Sequence, residues 1–171
     1  MTEKQKVESG LRLFEKIVGA IPGFKGYKQK EVRRESDRLI RSQASVNLSK
    51  ALDLFKRSLA TSKPPISEDK MLVANEISAR IDTAKEKTAK ALAGYSGLFD
   101  AVKVKEDKLD NLLQMDYGLI TQSKAIVDLV SKVSRVDISY PEWKILADDI
   151  RERLDRFEES LSERDGILST A

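Results

Sequence analysis

The sequence predicts an all-α protein: an antiparallel bundle of four long helices with a short N-terminal helix packed at one end. Three observations carry that expectation. Apolar residues recur at alternating steps of three and four along nearly the whole chain, the spacing of helices packed side by side. Charged residues make up 35% of the sequence and aromatics only 6%, which suits long amphipathic helices better than sheets. No stretch alternates apolar and polar residues with the period of two that a half-buried strand shows.

The elements follow in order within a single domain, 1–171, long enough to bury a sizeable core. Val7, Leu11, Phe14, Val18 and Ile21 make a first helix over about 3–20, stopped by Pro22-Gly23. After the Gly26-Tyr27 corner, Val32, Leu39, Val46, Leu48, Leu52, Phe55 and Leu59 predict a helix over 28–61, ending before Pro64-Pro65. Ser67 is placed as an N-cap for a third helix over 67–93, with Glu68 and Asp69 against the positive end of its dipole. Its stripe is narrow and small (Ala74, Ile77, Ile81, Ala84, Thr88, Ala91), which allows a neighbouring helix to approach closely. Leu109, Leu112, Leu113, Leu119, Ile120, Ile126, Val130 and Val133 predict a fourth helix over 104–136. Pro141 suits the first turn of the last helix, 141–165, where its missing N–H costs nothing. That helix carries Trp143, Ala147, Ile150, Leu154, Phe157 and Leu161 in four-three steps.

The sequence has no cysteine and no histidine. Disulfides, zinc sites built on those side chains, thiol nucleophiles and Ser-His-Asp triads are therefore excluded. No window reaches the roughly 18 consecutive apolar residues of a membrane span, and the N-terminus has no signal-peptide core. The expected location is cytoplasmic, with the inner face of the membrane as a peripheral alternative. Charge is uneven: residues 1–85 hold 18 Lys+Arg against 11 Asp+Glu, and residues 86–171 hold 13 against 17. Two oppositely charged halves folded together account for that split, as does a polyanionic partner for the basic half.

A short island interrupts the helical pattern: Gly94-Tyr95-Ser96-Gly97-Leu98-Phe99-Asp100-Ala101-Val102-Lys103-Val104, then Glu106, Leu109-Asp110 and Asp116. As helix interior, Gly94 and Gly97 would each cost about 1 kcal/mol relative to Ala. A corner near 94–97, followed by a new helix from about 104, is the reading preferred here. The island resembles a motif, approximately GYxGxFDAVKxxExxLDxLxxxD, of a prokaryotic family of helical proteins with no assigned activity. Members of that family also carry a segment like Ile21-Pro22-Gly23-Phe24-Lys25-Gly26-Tyr27-Lys28, followed by one like Lys30-Glu31-Val32-Arg33-Arg34-Glu35-Ser36-Asp37. The match covers residues 21–41 and 94–116 in the same order, and departs from the family at Leu112-Leu113-Gln114-Met115, where aromatics are usual. The resemblance implies a helical fold and a bacterial or archaeal source, and no reaction.

The candidate site residues come from these two segments: Phe24, Lys25, Tyr27, Arg33, Arg34, Asp37, Tyr95, Phe99, Asp100, Lys103, Asp110 and Asp116. Asp37 shares its helix with Arg33, Arg34, Arg38 and Arg41, while Asp100, Asp110 and Asp116 supply carboxylates, so Arg–carboxylate pairs would lock the island against the second helix. Asp116 stands between Met115 and Tyr117 on an apolar stretch, which favours a buried pairing. Such pairs fix a corner and a helix register; the functional alternative is a small ligand or metal pocket. Asp107 and Asp110 share a helix face, but Lys103, Lys105 and Lys108 crowd the same turns and repel cations, so neither a metal nor a cofactor is assigned. Pro22 to Lys28 reads as a helix–helix corner or, alternatively, as an anion cradle at a helix N-terminus. The run from Lys25 to Arg41 holds seven Lys+Arg against three Asp+Glu, too mixed a stripe to favour nucleic acid. Leu11, Phe14, Val18, Ile21 and Phe24, with basic residues behind them, also describe an interfacial helix for an anionic membrane surface.

The function these observations favour is a non-enzymatic interaction or scaffold protein that binds a macromolecular partner, expected to be a protein, through the corners at 22–27 and 94–104. A peripheral membrane-surface protein inserting residues 11–24 is the alternative. An enzyme or ligand binder using the Asp and Arg residues is a third, with Tyr27, Tyr95 and Lys103 as its acid–base groups. A homo-oligomer is left open.

Overall fold

In a computed structural model, the protein is described over residues 31–62, 66–91 and 106–169, together with residues 15, 16 and 19; for 31–37, 106–110 and 113 the description is of helical backbone alone. The described residues form four helices: α1 (Glu31–Ala60), α2 (Glu68–Lys90), α3 (Glu106–Val133) and α4 (Tyr140–Ser169). Glu15, Lys16 and Gly19 are helical and exposed. The rest of the expected N-terminal helix, the Pro22–Tyr27 corner and the Gly94–Val104 island lie outside the described residues. Among the described residues no strand occurs, and no helix is long and apolar enough to cross a membrane.

Local chemistry sets the helix ends. α1 closes where Thr61 N–H donates to the Arg57 carbonyl (3.0 Å) and Ser62 N–H to that of Leu59 (3.4 Å), just before Pro64-Pro65 in the sequence. Ser67 caps α2, its extended backbone (φ −63°, ψ 156°) letting the hydroxyl accept from Lys70 N–H at 3.4 Å. Glu68 and Asp69 in the first turn, and Lys87 and Lys90 in the last, complement the helix dipole. Ser139 caps α4 by accepting from Glu142 N–H at 3.4 Å, and Pro141 occupies the first turn. α3 stops at Val133, short of the expected 136, because the chain turns over Ser134–Asp137. α4 runs to Ser169 rather than 165, its added turn carrying the half-buried Ile167 and Leu168.

Each helix packs against two others: α1 on α2 and α3, and α4 on α2 and α3, so the contacts close a ring in the order α1–α2–α4–α3. The core fills the middle of that ring. It is built from Ala44, Leu48, Ala51 and Phe55 of α1, and Ala74, Ile77, Ile81 and Ala84 of α2. Leu119, Ile126 and Val130 of α3 meet Trp143, Ala147, Ile150, Leu154, Phe157 and Leu161 of α4. Burying each large aliphatic side chain contributes about 1.5–3 kcal/mol, so these stripes, rather than helix propensity, hold the fold.

Ion pairs lace the outside of the α2–α4 seam. Arg151 Nε donates to Glu76 Oε1 at 3.2 Å and its Nη1 to Asp148 Oδ1 at 2.8 Å, while Arg80 Nη2 meets Asp155 Oδ1 at 2.5 Å. All of these carboxylates are exposed, so each pair is worth no more than about 1 kcal/mol. Lys70 Nζ lies 4.8 Å from the centre of the Trp143 ring, which Tyr140 stacks on at 6.4 Å. Burial there lowers the Lys70 pKa.

The pair of Lys85 with Asp82 (2.6 Å) gives a direct pH prediction. The hydrogen bond and charge of Lys85 hold the Asp82 carboxyl below its usual range. A depressed carboxyl pKa stabilises the fold above its unfolded value, and that contribution is lost as pH falls through the folded value. Carboxyl-detected NMR titration is expected to find Asp82 titrating below the ordinary aspartate range, and Lys85→Ala to return it toward that range.

Candidate functional site

Charged and polar side chains enter the core where an aliphatic residue would satisfy the stripe. Asp116 of α3 and Arg164 of α4 are both at 0% exposure, and Arg164 Nε donates to Asp116 Oδ1 at 2.6 Å. Arg164 Nη1 also lies 3.3 Å from Asp165 Oδ1. The positions explain the burial: 112, 116, 119 and 123 on α3 follow three-four steps, and 157, 161 and 164 do the same on α4. Both groups belong to inward faces, so each is removed from water and held by the other. On α1, Arg41 Nη1 donates to the Ala91 carbonyl at 2.7 Å, satisfying a group exposed by the end of α2. Closer to the middle of the bundle, Asn47 Nδ2 donates to Ser123 Oγ at 3.0 Å, and Gln122 Nε2 to Ser160 Oγ at 3.0 Å.

Beside the buried pair, a groove of about 570 Å³ opens between α2 and α4. Ala91 and Leu161 give it an apolar floor. Asp82, Glu86, Lys87 and Lys90 of α2 face Glu158 and Asp165 of α4 across it, with Thr83 and Ser162 between them. Because Ala91 and Asp165 both line the groove, the Arg41–Ala91 bond and the Asp116–Arg164 pair flank it at the same end of the bundle. Lys85 engages Asp82 and, at 3.7 Å, Glu86, which also meets Lys90 at 3.4 Å. Among the described residues, neither Glu158 nor Lys87 forms an ion pair. The groove therefore presents a carboxylate and an ammonium with no ion-pair partner among the described residues, beside an apolar floor.

Of the residues singled out in the sequence, the structure describes the side chain of Asp116 alone. Arg33, Arg34 and Asp37 lie on the first turns of α1, and Asp110 on the second turn of α3, as helical backbone. Phe24, Lys25, Tyr27, Tyr95, Phe99, Asp100 and Lys103 lie outside the described residues. Asp116 is buried and paired, and Arg164 of α4 donates to it at 2.6 Å; the α1 arginines Arg33 and Arg34 lie outside the described side chains. Arg38 is exposed, and Arg41 donates to Ala91. The signal for Arg164 was present: it occupies the next position of the stripe ending Leu154, Phe157, Leu161, where a charge calls for a buried partner. Among the described residues no three carboxylates gather closely enough to hold a metal ion. No protein-family model, curated protein or solved structure matches this chain.

Proposed function

We propose that this protein is an interaction scaffold: a four-helix bundle, its consecutive helices running up and down, that binds a protein partner at the end where α1 begins and α2 stops. The observation that carries the reading is the α2–α4 groove. Along most of that seam Glu76–Arg151 and Arg80–Asp155 bridge the two helices, but beyond them a groove opens, rimmed by Glu158 and Lys87 over the buried Leu161. Asp116 with Arg164 and Gln122 with Ser160 run in opposite directions along α3 and α4, which supports an antiparallel α3–α4 pair, whereas Glu76–Arg151 and Arg80–Asp155 both join residues 75 apart, which supports α2 and α4 as parallel neighbours. The two corner segments attach at the same end. Tyr27 precedes the first residue of α1, Glu31, and the island follows the last residue of α2, Lys90. The N-terminal helix would pack across that end, and the partner would contact the corners together with the groove.

The membrane-surface reading rests on the apolar face of Leu11, Phe14, Val18 and Phe24 with the basic run behind it. Two measurements separate the readings. Affinity capture from the source organism is expected to retain one stoichiometric protein partner with the full chain, and Glu158→Lys to weaken that capture at least tenfold while circular dichroism stays unchanged. Unchanged capture by Glu158→Lys would remove the groove from the binding surface. Flotation with anionic vesicles that is lost when the chain begins at Lys28, with helicity retained, would replace the scaffold reading by the membrane one.

A further inference from the structure

The apolar stripes of α3 and α4 repeat every seven residues, and that repeat creates an ambiguity. Positions 112, 119, 126 and 133 of α3 are Leu, Leu, Ile and Val, and positions 147, 154 and 161 of α4 are Ala, Leu and Leu, all buried. Sliding α4 along α3 by seven residues, about 10.5 Å at 1.5 Å per residue, brings apolar stripe back onto apolar stripe. Side-chain fit would change, but polarity at most positions would not. The connection over 134–139 reaches about 20 Å when extended, so it accommodates the slide. The exposed bridges on the α2–α4 seam oppose it weakly.

We propose that the buried Asp116–Arg164 pair is a register lock that selects one of these packings. In the observed register Arg164 Nε meets Asp116 Oδ1 at 2.6 Å, both side chains being fully buried. One heptad away, in the slide that brings position 115 opposite 160, Arg164 would stand level with position 109, a leucine in the sequence, and Asp116 would face Phe157. Each charge would then be separated from the other inside the core, which is strongly unfavourable, whereas a well-packed apolar pair at both positions would stabilise every register alike. The pair thus contributes selectivity rather than stability, as a single polar core residue does in coiled coils. Asn47–Ser123 and Gln122–Ser160 act in the same sense with less force, since neither involves a charge.

The absence of cysteine from the chain makes the test direct. Introduced as Q122C/S160C, a cysteine pair reports the observed register; as M115C/S160C it reports the seven-residue slide. In the otherwise native chain the first is expected to oxidise within the monomer and the second to stay reduced. In D116L/R164M, still helical, M115C/S160C is expected to oxidise at least tenfold faster than in the native background. The charge-swapped D116R/R164D is expected to restore the native pattern. Exclusive closure of Q122C/S160C in D116L/R164M at the native rate would overturn the proposal. So would sliding in D116R/R164D, or loss of helicity in both D116L/R164M and the neutral D116N/R164Q, which would make the pair a requirement for folding instead.

Discussion

Arg164→Ala is expected to destabilise the protein by about 3–5 kcal/mol, the cost of leaving a buried carboxylate without the cation that faces it. Asp116 is at 0% exposure and Arg164 Nε is 2.6 Å away, so water cannot take over the role of the guanidinium without the core opening. For a domain of this size each kcal/mol lowers Tm by roughly 2–4 °C, so the midpoint should fall by about 10 °C. Thermal and urea unfolding followed by circular dichroism measures this directly. Glu76→Ala provides the contrast, since it removes an ion pair of similar geometry whose carboxylate is exposed, and its effect should stay within about 1 kcal/mol. Equal effects for the two variants would mean that Arg164 is far better solvated than its burial implies.

Trp143→Ala is expected to cost about 3–5 kcal/mol through the cavity it leaves at the start of α4. The indole is 2% exposed and is the largest of the enclosed core side chains among the described residues. It also organises its neighbours, with Lys70 over its face at 4.8 Å and Tyr140 stacked at 6.4 Å. Two consequences follow from the same substitution. Stability drops, read as a lower urea midpoint at unchanged slope, and the Lys70 ammonium, whose pKa burial lowers, returns toward its ordinary value. As Trp143 is the single tryptophan of the chain, the unfolding of the variant has to be followed by circular dichroism.

The helices were legible because their inward stripes keep three-four steps for many turns, as in Ala74, Ile77, Ile81, Ala84 and Thr88. Their ends were legible where a cap or proline marks them, at Ser67 and Pro141, and less so where a turn closes without one, after Val133. Asp116 could be singled out because a carboxylate at a stripe position has to be paired. Arg164 carried the same signal, but the pairing of the two could not be read, because it joins residues 48 apart and depends on which helices become neighbours. Both α1 and α4 lie beside α3, and the sequence does not say that α4 brings an arginine to Asp116. The groove was hidden for a related reason. Small residues near the end of α2 were expected to draw a neighbour close, and at Ala84 they are packed in the core. At Ala91, beyond the last cross-helix ion pair, a short side chain instead borders open space.

The central claim, that the groove end of the bundle is its binding end, is tested most directly by site-specific photo-crosslinking in the full-length chain. A photoreactive side chain placed at Lys87, Glu158, Val136 or Asp53 samples the groove, the opposite end and the outer face of α1 in turn. A discrete adduct to one partner is expected from Lys87 and Glu158, and none from Val136 or Asp53. Adducts from Val136 with silence at Lys87 and Glu158 would place the binding surface at the other end and contradict it.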